Sequence, residues 1–312
     1  MTASALNKIF PYREALAAKG VWASTRFLIM RRVAQLLFLA LFLTGPLLGV
    51  WVTKGTLASS MTFNLLPLTD GFVFVQVLAA RHWPEASALI GAGIVIGFYS
   101  LLGGRSFCAW VCPINPVTDL AAFVRRRFDV KYSAKLRPQT RLYVMIAVLV
   151  TAALTGLVVW EFVNPVTSLH RALVFGSGFG ALSALAIFIF DALIAKNGWC
   201  GHLCPVGAFY GLIGKGALLR VSAPRRVACD DCMSCFAVCP EPHVITPALR
   251  GEKTGHTPVI VSGDCTLCGA CVDVCPETVF AFTHRFDQQT EPVSPAECIN
   301  LSRSEQIQRS RQ

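Results

Sequence analysis

Charge is scarce in this chain: of 312 residues only 15% are charged, 18 are acidic, and histidine and methionine number 6 and 5. With 54% hydrophobic residues and a mean hydropathy of +0.55, the composition excludes an ordinary soluble domain, and residues 1 to about 220 are expected to meet lipid. No His/Met run is present, which argues against copper handling. No glycine-rich phosphate loop or dinucleotide fingerprint is present, which argues against an ATP-driven or NADH-linked role. The net charge of +10 lacks the aromatic-interleaved basic surface of a nucleic-acid binder, so no nucleic-acid partner is expected. The excess of Lys and Arg reads instead as a topology signal.

What the chain does have is cysteine, 13 in all. Cys229, Cys232, Cys235 and Cys239-Pro240, then Cys265, Cys268, Cys271 and Cys275-Pro276, write C-x2-C-x2-C-x3-C-P twice, the bacterial ferredoxin signature. Three thiolates on one tight loop can face three corners of a cubane, while the fourth points away, so the two motifs exchange their last ligands. One [4Fe-4S] cluster is therefore assigned to Cys229, Cys232, Cys235 and Cys275, and the other to Cys265, Cys268, Cys271 and Cys239. Zinc sites usually pair two C-x2-C halves over a longer gap, and disulfides need an oxidising compartment. The apolar runs His243 to Leu249 and Thr278 to His284 read as the paired strands of the repeat.

Upstream, four apolar runs read as membrane spans: Val33 to Val52, Ala86 to Leu102, Leu142 to Trp160 and Ala172 to Phe190. No charge falls inside them, which argues against an ion-pumping pathway. The run Phe72 to Ala80 is too short to span, is barred from extending by Pro67 and Asp70, and is placed at the membrane interface. Arg105, Arg125, Arg126, Arg127, Lys131, Lys135, Arg137 and Arg141 crowd one loop, which puts that loop and both termini in the cytoplasm. The first 32 residues, with Lys8, Arg31 and Arg32 among their cations, read as a basic amphipathic segment on the inner leaflet. The expected fold is an α-helical membrane protein of four transmembrane helices in two hairpins, with a C-terminal α+β ferredoxin-like domain holding two [4Fe-4S] clusters. Its divisions are 1–32, 33–220, 221–290 and a polar tail 291–312, in which Cys298 stands alone as a free thiol.

Two more pairs, Cys108-Ala-Trp-Val-Cys112-Pro and Cys200-Gly-His-Leu-Cys204-Pro, follow the second and fourth spans and suggest a duplicated two-span unit. Thiols one helical turn apart can chelate or cross-link, so these four are candidates for a further metal centre or a thiol redox site. Trp110 and Trp199 beside them read as interfacial anchors.

With these residues in view, the chain resembles the NapH family, the polytopic ferredoxin-type subunit of periplasmic nitrate reductase systems. The matching stretches include Lys54-Gly-Thr-Leu-Ala-Ser-Ser, Pro67-Leu-Thr-Asp, Cys108-Ala-Trp-Val-Cys-Pro-Ile-Asn-Pro, Trp199-Cys-Gly-His-Leu-Cys-Pro-Val-Gly and Cys235-Phe-Ala-Val-Cys-Pro-Glu-Pro. The resemblance implies a quinol dehydrogenase component of the bacterial inner membrane, with membrane quinol as substrate and a NapG-like periplasmic iron-sulfur protein as partner. A membrane cytochrome c and the nitrate reductase subunits are further partner candidates. Quinol oxidation needs a proton acceptor, for which His170 with Arg171 is the first candidate pair, followed by Glu161 and Asp70. Two other function classes compete: an assembly factor of the polyferredoxin type that reduces thiols or metals in a client enzyme, and a redox-sensing anchor.

Overall fold

The computed structural model describes residues 11–290, apart from 131, 135, 177 and 288, and forms two compact units, Met30–Ala217 and Met1–Ile29 with Leu218–Gln312. Cys298 and the tail lie outside the described residues, as do Lys8, Lys131 and Lys135.

Helix α1, Arg13–Leu48, leaves helical geometry at Gly20 (φ 79, ψ 172) and contributes its part from Met30 onward to the larger unit. It ends four residues before the expected span does, because Gly49 takes a left-handed φ of 72 after Pro46. A three-stranded antiparallel sheet follows, β1 (Thr53–Gly55), β2 (Ser59–Thr62) and β3 (Leu66–Thr69). Its hairpin turns through Phe63 and Asn64 at φ 53 and 54, the primed geometry that matches strand twist. Phe-Asn carries no Asn-Gly signal, so the local sequence does not announce this hairpin.

Helix α2, Gly71–Ala79, starts at Asp70, whose side chain accepts the Phe72 N–H at 2.8 Å. The expectation of an interfacial segment is corrected here. Phe72 and Gln76 are fully buried, Gln76 Oε1 accepts the Trp160 N–H at 3.2 Å, and α2 packs against α3 (Ala86–Leu102) and α6 (Thr140–Thr155). Between those two lie α4 (Ser106–Trp110) and α5 (Ile114–Arg127). Then come α7 (Val159–Val163), α8 (Pro165–Phe175) and α9 (Gly178–Ile189), the last continuing as a π-helical turn to Ile194, with a second π-helical turn at Trp199–Leu203 before α10 (Pro205–Ile213). The third and fourth expected spans shift accordingly. α6 stops at Gly156 (φ 70), and Gly176 (φ 74) separates α8 from α9.

Among the described residues one helix, Arg13–Leu48, is long and apolar enough to cross a membrane; Ala86–Leu102, Thr140–Thr155 and Gly178–Ile194 are shorter apolar helices. Each helix that follows a C-x3-C-P motif reaches a long helix of the other copy, α5 on α9 and α10 on α3, and α10 also packs on α6 of its own copy. Arg125 fastens the first contact by donating to the carbonyls of Asp191 and Ala192 at 3.3 and 3.0 Å. Arg31 and Arg32 are also spent internally, on Asp119 at 3.5 and 2.5 Å.

In the smaller unit, β4 (Leu219–Ser222) pairs antiparallel with β5 (Ala281–His284), and three short helices stand between them: α11 (Ser234–Val238), α12 (Ile245–Arg250) and α13 (Ala270–Val274). The second expected strand is therefore present in part, but the run His243 to Leu249 is helical, and β5's partner comes from 219–222 instead. Ile245, Ala248 and Leu249 recur at helical spacing and turn one face into the core beside Val221, Val274, Val279 and Phe280. Complete burial of such a side chain contributes about 1.5–3 kcal/mol. Residues 12–29 belong to this unit: Tyr12 and Phe27 pack on its core, Lys19 Nζ donates to the Val272 carbonyl at 2.7 Å, and Asp273 accepts the N–H groups of Phe27 and Leu28.

Candidate metal centres

The two cysteine loops repeat one backbone course. Asp231 and Met233 in the first, and Leu267 and Gly269 in the second, occupy equivalent places with φ of 56, 61, 51 and 71. Left-handed residues at alternate positions curl a loop so that successive side chains converge, a conformation costly for Leu and Met and retained where the surroundings demand it. Each loop then enters a five-residue helix, α11 or α13, which carries the third cysteine and ends at the fourth, Cys239 or Cys275, in extended conformation. The helices pack against each other, so each fourth cysteine leaves its own loop.

Two cavities result. One is lined by Cys229, Cys232, Cys235 and Cys275 with Phe236, Leu249, Val279 and Phe280. The other is lined by Cys239, Cys265, Cys268 and Cys271 with Val221, Val244, Ile245 and Ile260. All eight thiols are free. Burial pushes Cys232 and Cys235 up to about 12 and raises Cys239 and Cys271 well above the ordinary thiol range, so cluster ligation, which needs thiolates, is coupled to proton release. Four soft donors around an apolar, unfilled space fit an iron-sulfur cluster.

The other four thiols gather as well. Cys112 and Cys204 are buried in one apolar core with Phe107, Ile114 and Tyr210, and Cys108 and Cys200 pack against it. Burial raises all four, and the charge of one thiol acts on the next, which places them close together. Sequence reading missed Arg105, which is 1% exposed, donates to the Cys200 carbonyl at 2.9 Å and hydrogen-bonds the Cys108 thiol. Arg141, also buried, donates to the Gly201 carbonyl at 3.2 Å. Two guanidinium groups beside four thiols suit a site of net negative charge. Trp199, which is half-buried, stacks on buried Trp160 at 6.4 Å.

The proton-acceptor candidates separate. His170 is 2% exposed, meets Phe42 edge-on at 4.5 Å, and neither ring nitrogen has a hydrogen-bond partner among the described residues. Burial and then the Arg171 charge lower its pKa to about 4, so it is neutral and enclosed. Arg171 itself is exposed. Glu161 accepts from Asn164 Nδ2 at 2.8 Å. Asp70 borders a cavity, where the Tyr210 hydroxyl donates to it at 3.3 Å. Tyr210 and Tyr99 had no sequence signal, since a tyrosine in an apolar helix reads as core.

Comparison with known proteins fits this architecture. A family model described as a 4Fe-4S binding domain matches residues 86–131 and 177–225, the stretches that carry the two C-x3-C-P motifs, and a 4Fe-4S dicluster domain matches residues 228–279. The chain is thus an iron-sulfur protein of the ferredoxin type. It is 49% identical over 275 residues to the ferredoxin-type protein NapH of Escherichia coli (strain K12), covering 88% of this chain and 95% of that protein. It is 47% identical over 272 residues to the methylamine utilization ferredoxin-type protein MauN of Methylorubrum extorquens, covering 87% and 94%. Protein RdxA of Cereibacter sphaeroides is 25% identical over 254 residues, 68% of this chain and 51% of that protein. The chain belongs to the NapH family. No solved structure matches.

Proposed function

We propose that this protein is a membrane-embedded electron-transfer subunit that takes part in quinol oxidation and passes electrons toward a periplasmic nitrate reductase with a NapG-like iron-sulfur partner. The observation that carries the reading is the pair of cavities, each edged by three cysteines of one motif and the fourth of the other. Cys229, Cys232, Cys235 and Cys275 hold one [4Fe-4S] cluster, and Cys265, Cys268, Cys271 and Cys239 hold the second. Bound clusters supply one-electron carriers, and the chain's own residues keep water away from them through Phe236, Leu249, Ile245 and Ile260. Cys108, Cys112, Cys200 and Cys204 hold a third centre, for which Arg105 and Arg141 supply the compensating charge.

The membrane reading has four spans, α1 and the three shorter apolar helices, with both termini cytoplasmic. Support comes from exposed apolar faces on each: Leu36 and Leu37 on α1, Ile90 and Phe98 on α3, Val150 and Leu154 on α6, Leu182 and Leu185 on α9. The near-equal identity to MauN favours a second reading of the destination, in which the same electron-transfer core serves methylamine utilisation. Neighbouring genes for nitrate reductase or for methylamine oxidation separate the two. Iron counting and low-temperature EPR on anaerobically purified protein test the core claim. About twelve irons per chain, reduced by added quinol, are expected from three cubanes; failure of quinol to reduce any centre with the partner present would sink the reading.

A further inference from the structure

The geometry points to a binding site for the quinol ring in the cavity between α1, the β1–β3 sheet, α3 and α10, with Asp70 as the group that accepts the hydroxyl proton. This deepens the quinol-oxidation reading above and rests on it.

The cavity has a volume of about 280 Å³, at the small end of the range for small-molecule sites. Its walls are apolar, with Phe42, Leu68 and Val95, and Phe38 and Leu66 at its rim are 41% and 44% exposed on the apolar surface. A lipid-soluble ring can therefore enter sideways. One end is polar. There the Asp70 carboxylate, 9% exposed, accepts from the Phe72 N–H and from the hydroxyl of Tyr210, itself 1% exposed. The titratable groups that act on Asp70 include Tyr210, Tyr99, Cys108 and Glu161, with Arg105 and Arg141 on the far side of Cys108. A desolvated carboxylate is a stronger base than one in water, which suits it to take a proton from a hydroxyl group.

The wall beside the polar end is formed by Phe107 and Val111, whose next residues in the chain are Cys108 and Cys112, and the Phe107 ring stacks on Tyr210 at 5.0 Å. A ring in the cavity lies one residue from the thiol group assigned above to a third centre. Depth follows from two helices. Nine-residue α2 leads from Asp70 back toward His82, which meets the Gly156 carbonyl at the end of α6, a rise of about 13 Å. Gly71 lies against Ile96, roughly 15 Å along α3 from Ala86. In the four-span reading Asp70 thus sits near the middle of a roughly 30 Å core. Electrons from a ring held there have only part of the membrane to cross, whichever side the acceptor lies on.

The step balances as follows. A quinol loses two O–H protons and two electrons to become a quinone; Asp70 takes the protons in turn and releases them toward Glu161 and water, and the electrons leave singly to an oxidised iron-sulfur group. The test uses the full-length, cluster-loaded protein in lipid nanodiscs and 2-heptyl-4-hydroxyquinoline N-oxide, a fluorescent quinol analogue whose emission falls on binding. Saturable quenching is expected in the unaltered protein, about tenfold weaker in Asp70→Asn and absent in Val95→Trp, with EPR signals unchanged in both. Leu68→Trp fills the cavity from the sheet and serves if Val95→Trp does not fold. No saturable quenching in the unaltered protein, undiminished quenching in both tryptophan variants, or a phospholipid that the analogue cannot displace would each overturn the inference. Quinol reduction that survives both tryptophan variants sinks this site and leaves the electron-transfer reading standing. Saturable, Asp70-dependent binding without any quinol reduction upholds the ring site and sinks that reading.

Discussion

Exchange of the fourth ligand between motifs makes a sharp prediction for cysteine pairs. Cys239 lies in the first motif but lines the cavity of Cys265, Cys268 and Cys271, whereas Cys229, ten residues away, lines the other. Replacing Cys239 by Ala should damage one cubane, about four irons at most, and adding Cys265→Ala should cost nothing more, because both residues serve the same centre. Adding Cys229→Ala instead should damage both cubanes, about eight irons. The proposed C-x3-C-P centre, whose four thiols are untouched, serves as an internal standard in all four proteins. Iron analysis and EPR spin counting on anaerobic preparations read the difference, and each lost cluster should lower unfolding stability too, since ligation free energy is folding free energy for a small metal domain. If the Cys239/Cys265 pair loses twice what Cys239 alone loses, while Cys239/Cys229 loses no more, the ligands are not exchanged and the reasoning fails.

Three other outcomes can be checked. His170 is held neutral, its folded pKa depressed to about 4, so the unfolded chain binds a proton below about 6.5 and the folded one does not. Stability is complete above that value and falls with pH, by about 2 kcal/mol between pH 7 and pH 5, a slope that His170→Phe should remove from thermal unfolding curves. Arg105→Met removes two donors from a buried site and should cost about 2–4 kcal/mol while lowering the reduction potential of the C-x3-C-P centre; an unchanged potential in a redox titration would separate the guanidinium from the thiols. Gly104→Ala would drive a methyl carbon into the Tyr210 carbonyl, against backbone that cannot step aside. It should cost about 1–3 kcal/mol and weaken analogue binding by displacing Tyr210 from Asp70, whereas Gly93→Ala, with nothing within 4 Å, serves as the silent control.

Much of the architecture was legible because its signals are local. The cysteine spacings sit within eleven residues each, and the long apolar runs coincide with four helices whose ends moved by a few residues where Gly49, Gly156 and Gly176 stop them. The errors have common causes. The run His243 to Leu249 was read as a strand although its apolar residues also fit a helical face, and a seven-residue apolar run does not distinguish the two. The segment at Phe72 to Ala80 was read as interfacial from its length and the flanking Pro67 and Asp70, and such local features say nothing about the neighbours that bury Gln76. Strands β1 to β3 are rich in Thr and Ser and joined by a turn without glycine, so no pattern announced them.

That the chain holds iron-sulfur chemistry was legible from the chain alone, because three of the four cysteines of each group lie on one short loop, and short loops are written in consecutive residues. How Cys108 and Cys200 come to one core across 91 intervening positions, and how Asp70 comes to border a cavity, were settled only by packing. Asp70 and Tyr210 stand 140 residues apart and meet because α2 folds back beside α3 while α10 crosses from the second repeat to the first. Contacts of that kind depend on how helices bury one another, and burial is a property of the whole fold that no window of sequence contains.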